Sequence, residues 1–346
     1  MNQISFEEII SVENLLLGWK EFLRGKRQRK DVQEFQLHLL DNIVNLHIDL
    51  KNKVYIHGLY VAFNINDPKP RNIHKALVRD RLLHHAIYRV LYPYFDTKFI
   101  YDLYSCRKWK GTHRAVERFT TFGRKASRNH RRTLWILKCD VRKFFASIDH
   151  EVLKKVLTIS IQDESILWLL SRVIDSFKTP YSIYAMAEMP KGLPLGNLTS
   201  QLLVNVYMDW FDQYMKHRIR AKYYIRYADD FVVMSRDKDE LEDVLIQIKF
   251  FLGDNLLLEL HPDKVFIKTL ASGVDFLGWV HFPKHRVLRT TTKRRMYKNL
   301  QSNPRTESLA SYLGLLSHRN TKKLRDYVQS LYTDSVPDVQ DFGTIG

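Results

Sequence analysis

Two runs of strand-forming residues, Tyr223 to Tyr227 and Phe231 to Met234, meet at Ala228-Asp229-Asp230, and this stretch constrains the fold most tightly. Aromatic and β-branched side chains favour strands and Asp favours turns, so the stretch predicts strand, tight turn, strand. The tip of that hairpin carries two adjacent carboxylates with no basic residue beside them in sequence. Taken alone, an Asp-Asp pair in a turn is equally what an ordinary solvated turn looks like.

A second stretch bears on that choice. Leu134-Trp-Ile-Leu-Lys-Cys-Asp140 reads as an apolar strand ending on an acid, after which Phe144, Phe145 and Ile148 mark one side of a helix. A carboxylate closing a buried strand is costly unless positive charge sits next to it. With two further carboxylates at Asp229 and Asp230, a divalent cation is the economical source of that charge. Hard oxygen ligands, few and incomplete, point to Mg²⁺ shared with phosphates, not to Zn²⁺.

Charge points to the partner. The chain has 346 residues, a formal net charge of +17 and 45% hydrophobic residues, the balance of a folded protein that meets a polyanion. Charge alone does not separate nucleic acid from an anionic membrane. No apolar run approaches the roughly 18 residues needed to cross a bilayer. Met1 to Val12 contains Glu7 and Glu8 and no basic start, which argues against a signal peptide. Cys106 and Cys139 are too few for a disulfide framework and read as small buried residues in a reducing compartment. The expectation is a cytoplasmic, nucleic-acid-facing protein without a membrane partner.

Along the chain, residues 1 to about 50 carry helical apolar spacing, interrupted by the basic run Arg24 to Lys30, which suits a solvated loop or a phosphate backbone. Tyr55 to Ile65 alternates like a strand and ends in Asn66-Asp-Pro-Lys-Pro-Arg71, where the prolines keep Lys69 and Arg71 on an extended segment. His84 and His85, adjacent in a helix, cannot share a face as a metal pair and read as structural. Residues 105 to 132 are basic with interleaved Trp109, Phe119 and Phe122; the aromatics are either core or a surface for single-stranded or hybrid nucleic acid. Pro190 to Gln201 is a Gly/Pro-punctuated loop opening a helix, with Thr199 and Ser200 as candidate caps. Val274 to His281 reads as one strand with a glycine inside it. Pro283 to Lys298 then holds seven lysines and arginines and no acid, and opens a helical module.

Three carboxylates, one ending a strand and two in a later hairpin, match a palm-type polymerase site. Two Mg²⁺ ions in such a site lower the pKa of a primer 3′-hydroxyl and stabilise the pyrophosphate leaving group. The expected ligands are Asp140, Asp229 and the Val141 carbonyl, with Asp230 nearby.

The chain resembles reverse transcriptases. Tyr227-Ala-Asp-Asp230 is similar to the family's Y-x-D-D box and Asp140-Val-Arg-Lys-Phe-Phe145 to its first catalytic motif. Leu195-Gly-Asn-Leu-Thr-Ser-Gln201 resembles the [I/L/V]-G-x-x-x-S-Q loop of reverse transcriptases from diversity-generating retroelements, not the Q-G-x-x-x-S-P of group II intron and retroviral enzymes. Cys106 to His113 and Ser311 to His318 are also similar to that family, and the chain shows no maturase or endonuclease domain after the thumb.

The resemblance implies a mixed α/β (α+β) right-hand polymerase fold, with fingers, a palm whose antiparallel sheet bears the Asp-Asp hairpin, and a helical thumb. Its expected divisions are an N-terminal helical extension at 1–50, fingers and palm at 51–282, and thumb and tail at 283–346. It implies catalysis by Asp140, Asp229 and Asp230, and nucleotide contacts from Lys69, Arg71, Phe145, Leu195, Gly196, Gln201 and Lys264. Phe145 becomes a steric gate against a 2′-hydroxyl, Phe276-Leu277-Gly278 a primer grip, and Arg289, Lys293, Arg294, Arg295 and Lys298 nucleic-acid contacts. Two Mg²⁺ ions are the implied cofactors, with Mn²⁺ able to substitute in vitro. Partners are dNTPs, template RNA and cDNA, and a small basic pentameric accessory protein, in a bacterial, archaeal or phage-encoded setting. Family members copy a template-repeat RNA with errors opposite adenine, and the apolar Leu195 where a polar Gln would touch the nascent pair suits lowered discrimination. A defence-type or group II intron-like reverse transcriptase of ordinary fidelity shares every catalytic residue, and a non-catalytic RNA-binding protein on the same scaffold is a further alternative.

Overall fold

The computed structural model describes residues 4–65, 70–177, 191–302, 305–316 and 322–335. Among these the chain forms two compact units, Met1–Thr269 and Leu270–Gly346.

In the first unit an antiparallel sheet has the strand order β4-β5-β3-β6, with β3 at Trp135–Asp140, β4 at Tyr224–Tyr227, β5 at Asp230–Ser235 and β6 at Phe266–Thr269. Alternation decides which side chains enter the core. Leu137, Cys139, Phe231, Val233 and Tyr224 join the main apolar cluster with residues of the helices Leu198–His217 and Lys238–Leu256. Phe211 is fully buried there, its ring 5.2 Å from that of Phe231 and 5.9 Å from that of Phe251. Truncating such a side chain to Ala costs about 3–5 kcal/mol, so Phe211→Ala would loosen the sheet from its helices.

The N-terminal helices belong to this unit. Ser11 caps the helix Val12–Phe22 by accepting from the Asn14 N–H at 3.1 Å. Its buried face, Leu15, Trp19 and Phe22, packs on the helix Val78–Asp96. A Cβ on Gly18 would stand 3.2 Å from the Ala86 nitrogen, so the two helices meet backbone to backbone. The one division between compact units falls at Thr269/Leu270, with residue 50 inside the first unit and residue 282 inside the second.

Strand structure in the Tyr55–Ile65 stretch is confined to β1, Val61–Ile65, which pairs antiparallel with β2, Arg71–Lys75. Tyr55 instead spends its hydroxyl on Asp80 at 2.7 Å, and Gly58 donates its N–H to the same carboxylate at 3.1 Å. The Gly58 N–H, given to a side chain, is thereby withdrawn from any strand ladder.

The second unit holds β7 (Val274–Phe276), β8 (Trp279–His281) and β9 (Arg286–Leu288) as an antiparallel sheet, then the helices Thr290–Ser302, Thr306–Leu316 and Lys322–Ser335. The single strand expected over Val274 to His281 is a hairpin. Leu277 (φ 51°) and Gly278 (φ 85°) both take left-handed conformations, the geometry of a two-residue primed turn that reverses the chain between Phe276 and Trp279. Met296, Leu300, Leu316 and Val328 form the buried face of the helices.

Cys139 is buried but Cys106 is exposed, contrary to expectation, because Cys106 sits in a turn at φ 53°. Phe119 and Phe122 are core, whereas Trp109 is 83% exposed.

Candidate active site

The β4–β5 hairpin closes through two residues, Ala228 and Asp229, because Tyr227 already pairs with Asp230. Asp230 is therefore the first residue of β5, not part of the turn, and lies directly across from Asp140 at the end of β3. Val141 donates its N–H to the Asp229 carbonyl at 3.1 Å, and His261 donates its N–H to the Asp140 carbonyl at 2.7 Å. Backbone pairing alone thus brings three carboxylate-bearing residues to one end of the sheet.

Positive charge also reaches these carboxylates from elements distant in sequence. Lys264, in a short 3₁₀ turn at Pro262–Lys264, places Nζ 2.7 Å from Asp140 Oδ1. Lys138, facing away from the main core on β3, places Nζ 3.2 Å from Asp230 Oδ1. Burial pushes Asp230 up to about 7 against the pull of Lys138, and the charges of Asp229 and Asp140 add to the rise. Asp229 is raised for the same reasons, burial first and then the neighbouring Asp140. The site is thus short of positive charge even with two lysines.

The donor chemistry fits a hard divalent cation. Among the described residues no trio of His, Cys, Asp and Glu side chains forms a cage for a metal, and Asp230 is turned toward Lys138. Mg²⁺ needs no such cage, since it is held by one or two carboxylates plus substrate phosphates and water. Asp140 and Asp229 are the two carboxylates that would hold it, with mutual repulsion that a cation would relieve.

Of the expected nucleotide contacts, several are joined through the backbone. The Phe145 carbonyl accepts from the Leu193 N–H at 2.8 Å, and the Leu195 carbonyl accepts from the His74 N–H of β2 at 3.2 Å. Gly196 (φ 107°) lies so near β2 that a Cβ there would stand 3.0 Å from Ile73 Cγ2. Phe145, Leu195, Gly196 and the strand that begins at Arg71 therefore form one connected group, with Arg71 exposed and Phe145 and Leu195 half-buried. Gln201 lies in the first turn of Leu198–His217, whose Asn197 cap makes no side-chain cap bond. Thr199 is no cap either: its hydroxyl is 2.6 Å from His84 Nδ1. His84, buried and pushed down to about 3, is a satisfied neutral histidine as expected. Lys69 lies outside the described residues.

The remaining expected contacts lie in the second unit. Phe276 is buried in β7, and Leu277 and Gly278 form the hairpin turn. Arg289 pairs with Asp275, so its charge is spent within the unit. Arg294 and Lys298, four apart on Thr290–Ser302, are exposed, while Lys293 and Arg295 are half-buried.

Sequence reasoning missed the layer beneath the hairpin. Ala228 holds φ 56°, unusual for a residue with a Cβ. Its N–H donates to Ser105 Oγ at 2.9 Å, and its carbonyl accepts from Arg226 Nη1 at 3.1 Å. Asn205 donates to the Ser105 carbonyl at 3.0 Å, and Arg226 is clamped by Asp212. The available signal was a basic residue inside each apolar strand, Lys138 and Arg226, which a buried position tolerates only with a partner.

An antiparallel sheet carrying paired aspartates, a lysine-bearing turn and helices behind it is the palm of a right-hand polymerase, and the chain has that mixed helix-and-sheet fold. Residues 66–281 match the reverse transcriptase (RNA-dependent DNA polymerase) family, which is more than half of the chain, and the protein belongs to that family. Protein YkfC of Escherichia coli strain K12 is 25% identical over 260 residues, covering 65% of this chain and 64% of YkfC. The group II intron-encoded protein LtrA of Lactococcus lactis subsp. cremoris is 21% identical over 306 residues, covering 70% of this chain and 49% of LtrA. The chain thus spans less than two thirds of these relatives' length. The apo telomerase of Candida tropicalis superposes with a TM-score of 0.53 at 12% identity, over 81% of this chain and 58% of the telomerase, a likeness of fold alone. Among the described residues no helix is long and apolar enough to cross a membrane.

Proposed function

We propose that this chain is an RNA-directed DNA polymerase of a diversity-generating retroelement, copying a template-repeat RNA with errors concentrated opposite adenine. The polymerase part rests on one observation above others: Asp140 and Asp230 face each other across the sheet while Asp229 is bound through its carbonyl to Val141. When bound between Asp140 and Asp229, divalent cations supply charge neutralisation for the attacking and leaving oxygens of nucleotidyl transfer. The chain's own residues do the positioning. Lys264 stands at Asp140, within a side chain's reach of where incoming phosphates would meet the carboxylates, and its ammonium suits them as a point charge. Phe145 offers a flat apolar surface beside the loop Leu193–Gly196 against which a sugar could be gauged. Lys69 and Arg71 suit the triphosphate.

The retroelement part rests on the loop Leu195 to Gln201 and on the bond between the Leu195 carbonyl and β2. An apolar side chain where a polar one would contact the nascent pair gives up a hydrogen bond that discriminates between bases. The family implies a small basic pentameric accessory protein and a bacterial, archaeal or phage setting. A second reading, a group II intron-like enzyme of ordinary fidelity, is favoured by the likeness to LtrA.

Primer extension on an RNA template with Mg²⁺, comparing dNTPs with NTPs and sequencing the errors by template base, tests all of this. DNA product that disappears in Asp229→Asn, with errors concentrated at adenine, is expected. Errors spread over all bases support the second reading, and equal output from wild type and Asp229→Asn refutes both.

A further inference from the structure

At the end of β4 away from the aspartates, the surface changes character. Tyr223 just precedes the strand and its carbonyl accepts from the Met234 N–H at 3.0 Å, while the hairpin turn follows Tyr227. Four residues of strand separate the two places by roughly 13 Å. Beside Tyr223 lies a cleft of about 570 Å³ lined by Arg118, Arg124, Lys125, Arg128 and Lys222, with Asp102 as its carboxylate. Arg118 already engages Asp102 through Nε at 2.7 Å and Nη2 at 3.2 Å, whereas the other four cations are exposed. A second cavity of about 190 Å³ shares Lys222 and Tyr223 and extends the basic lining to Arg220 and Arg236.

Bases in the last turn of a helix complement its dipole, which accounts for Arg124 and Lys125. It does not account for Arg128, Lys222 and Arg220, which come from other segments. Nor does it account for the backbone: Arg128, Asn129 and His130 stand at φ 50°, 58° and 64° in succession. Residues with a Cβ take that conformation at a cost and keep it where the surroundings impose it. Here the Asn129 N–H donates to the Arg124 carbonyl at 2.8 Å, and buried Ser127 Oγ donates to the Gly123 carbonyl at 2.6 Å while accepting from the His130 N–H at 2.9 Å. The turn so fixed carries Arg128 and Asn129 onto the wall of the cleft. At its floor lies the half-buried Tyr223, whose ring is backed by the buried Phe122 edge to face with centroids 5.2 Å apart. Exposed cations beside a partly open aromatic ring, here Lys222 at 5.7 Å from the Tyr223 ring, suit a single strand, which offers both phosphates and bases.

We propose that this cleft is a second RNA-binding surface, holding a single-stranded segment of the template RNA away from the three aspartates. It rests on the reading of the chain as an enzyme that copies RNA, and it adds an anchoring point that lets one RNA be held while another part of it is copied.

The test uses the full chain and the triple variant R124E/K125E/R128E, with K222E as a milder second. Binding of a long single-stranded RNA is measured without nucleotides across a salt series, beside extension of a short preannealed primer–template and a melting curve. The triple variant is expected to lose roughly tenfold or more in affinity for the long RNA, and its log–log salt slope to fall by about 2, near 0.7 for each phosphate no longer neutralised. K222E shifts the same way by less, and extension of the short primer–template stays within about twofold. Unchanged RNA affinity and slope in both variants overturn the proposal and leave the cleft to an acidic protein partner. Loss of short-template extension at an unchanged melting temperature also overturns it, by assigning these cations to the copied duplex. A wild type no more active than Asp229→Asn, whose RNA binding still falls in the triple variant, sinks the polymerase reading and leaves this surface standing.

Discussion

Arg226 and Asp212 form a two-pronged ion pair, Nε to Oδ1 at 2.8 Å and Nη2 to Oδ2 at 2.6 Å, with both side chains fully buried directly beneath the Ala228-Asp229 turn. Tyr224 donates a further bond to Asp212 at 2.6 Å, so the carboxylate is saturated and the remaining guanidinium nitrogen is directed to the Ala228 carbonyl. Removing one partner strands the other charge in the interior, which costs about 3–5 kcal/mol, whereas replacing both by apolar residues of similar volume is often close to neutral. Urea unfolding is therefore expected to show Arg226→Met and Asp212→Leu each destabilised by that amount and the double variant much less so. Arg226→Met and the double variant lose polymerase activity, because Ala228 loses the donor that holds its carbonyl, and Asp212→Leu loses it in part, because that donor is no longer clamped. Additive losses in the double variant would show that the pair does not act as a unit.

Asp209 gives stability a pH dependence. Burial, with the charge of Asp212 adding to it, raises its pKa from 3.8 to about 7, although Gln213 donates to it at 3.2 Å. A raised carboxylate is favoured neutral in the folded state. Its contribution is fully present below pH ~4 and is lost as pH rises through about 7, a change of up to roughly 4 kcal/mol. Asp209→Asn keeps the bond to Gln213 without the charge. Unfolding free energies are expected to match wild type at pH 4 and to exceed it by a few kcal/mol at pH 8; a pH-independent difference would exclude Asp209 as the cause.

Much of the aspartate-bearing end of the sheet was legible because its determinants are local. A hairpin needs only the alternation on each side of Ala228-Asp229, and a strand-ending acid needs only the apolar run before Asp140. The charges that tame those acids were not legible, since Lys138 and Lys264 reach them through a ladder and a turn that no local pattern encodes. Val274 to His281 went wrong for a related reason. A glycine in a strand signals either close approach or reversal, and the non-glycine Leu277 at φ 51° gave no hint of which. The anchors of the N-terminal helices, such as Gly18 on Ala86, are likewise contacts between segments far apart in sequence.

Phe145 follows a left-handed Lys143 (φ 46°) at the start of a single helical turn, and its ring meets that of Phe144 edge to face at 5.8 Å. Half-buried and tied by its carbonyl to Leu193, it has little room to yield to an extra oxygen. Phe145→Ala is expected to admit ribonucleotides, narrowing the preference for dNTPs by roughly 10–200-fold, the range that steric pockets deliver. Single-nucleotide incorporation with dATP and ATP measures the ratio; an unchanged ratio removes Phe145 from sugar selection.

Leu195 is the residue on which the error-prone reading turns. Its carbonyl is fixed to β2 and its neighbour Gly196 has no room for a side chain toward Ile73, so a substitution at 195 changes the side chain without moving the strand. Gln at this position restores a polar group able to bond the nascent pair. One such bond is worth about 1–1.5 kcal/mol, close to tenfold in discrimination. Leu195→Gln is therefore expected to lower misincorporation opposite template adenine by roughly that factor while errors opposite the other bases change little, as read by sequencing cDNA from a template of even composition. Because the backbone bond to His74 does not depend on the side chain, dNTP turnover on matched templates should survive. An adenine error rate identical to wild type in an active Leu195→Gln enzyme would reduce Leu195 to a packing residue and return the chain to the group of ordinary fidelity.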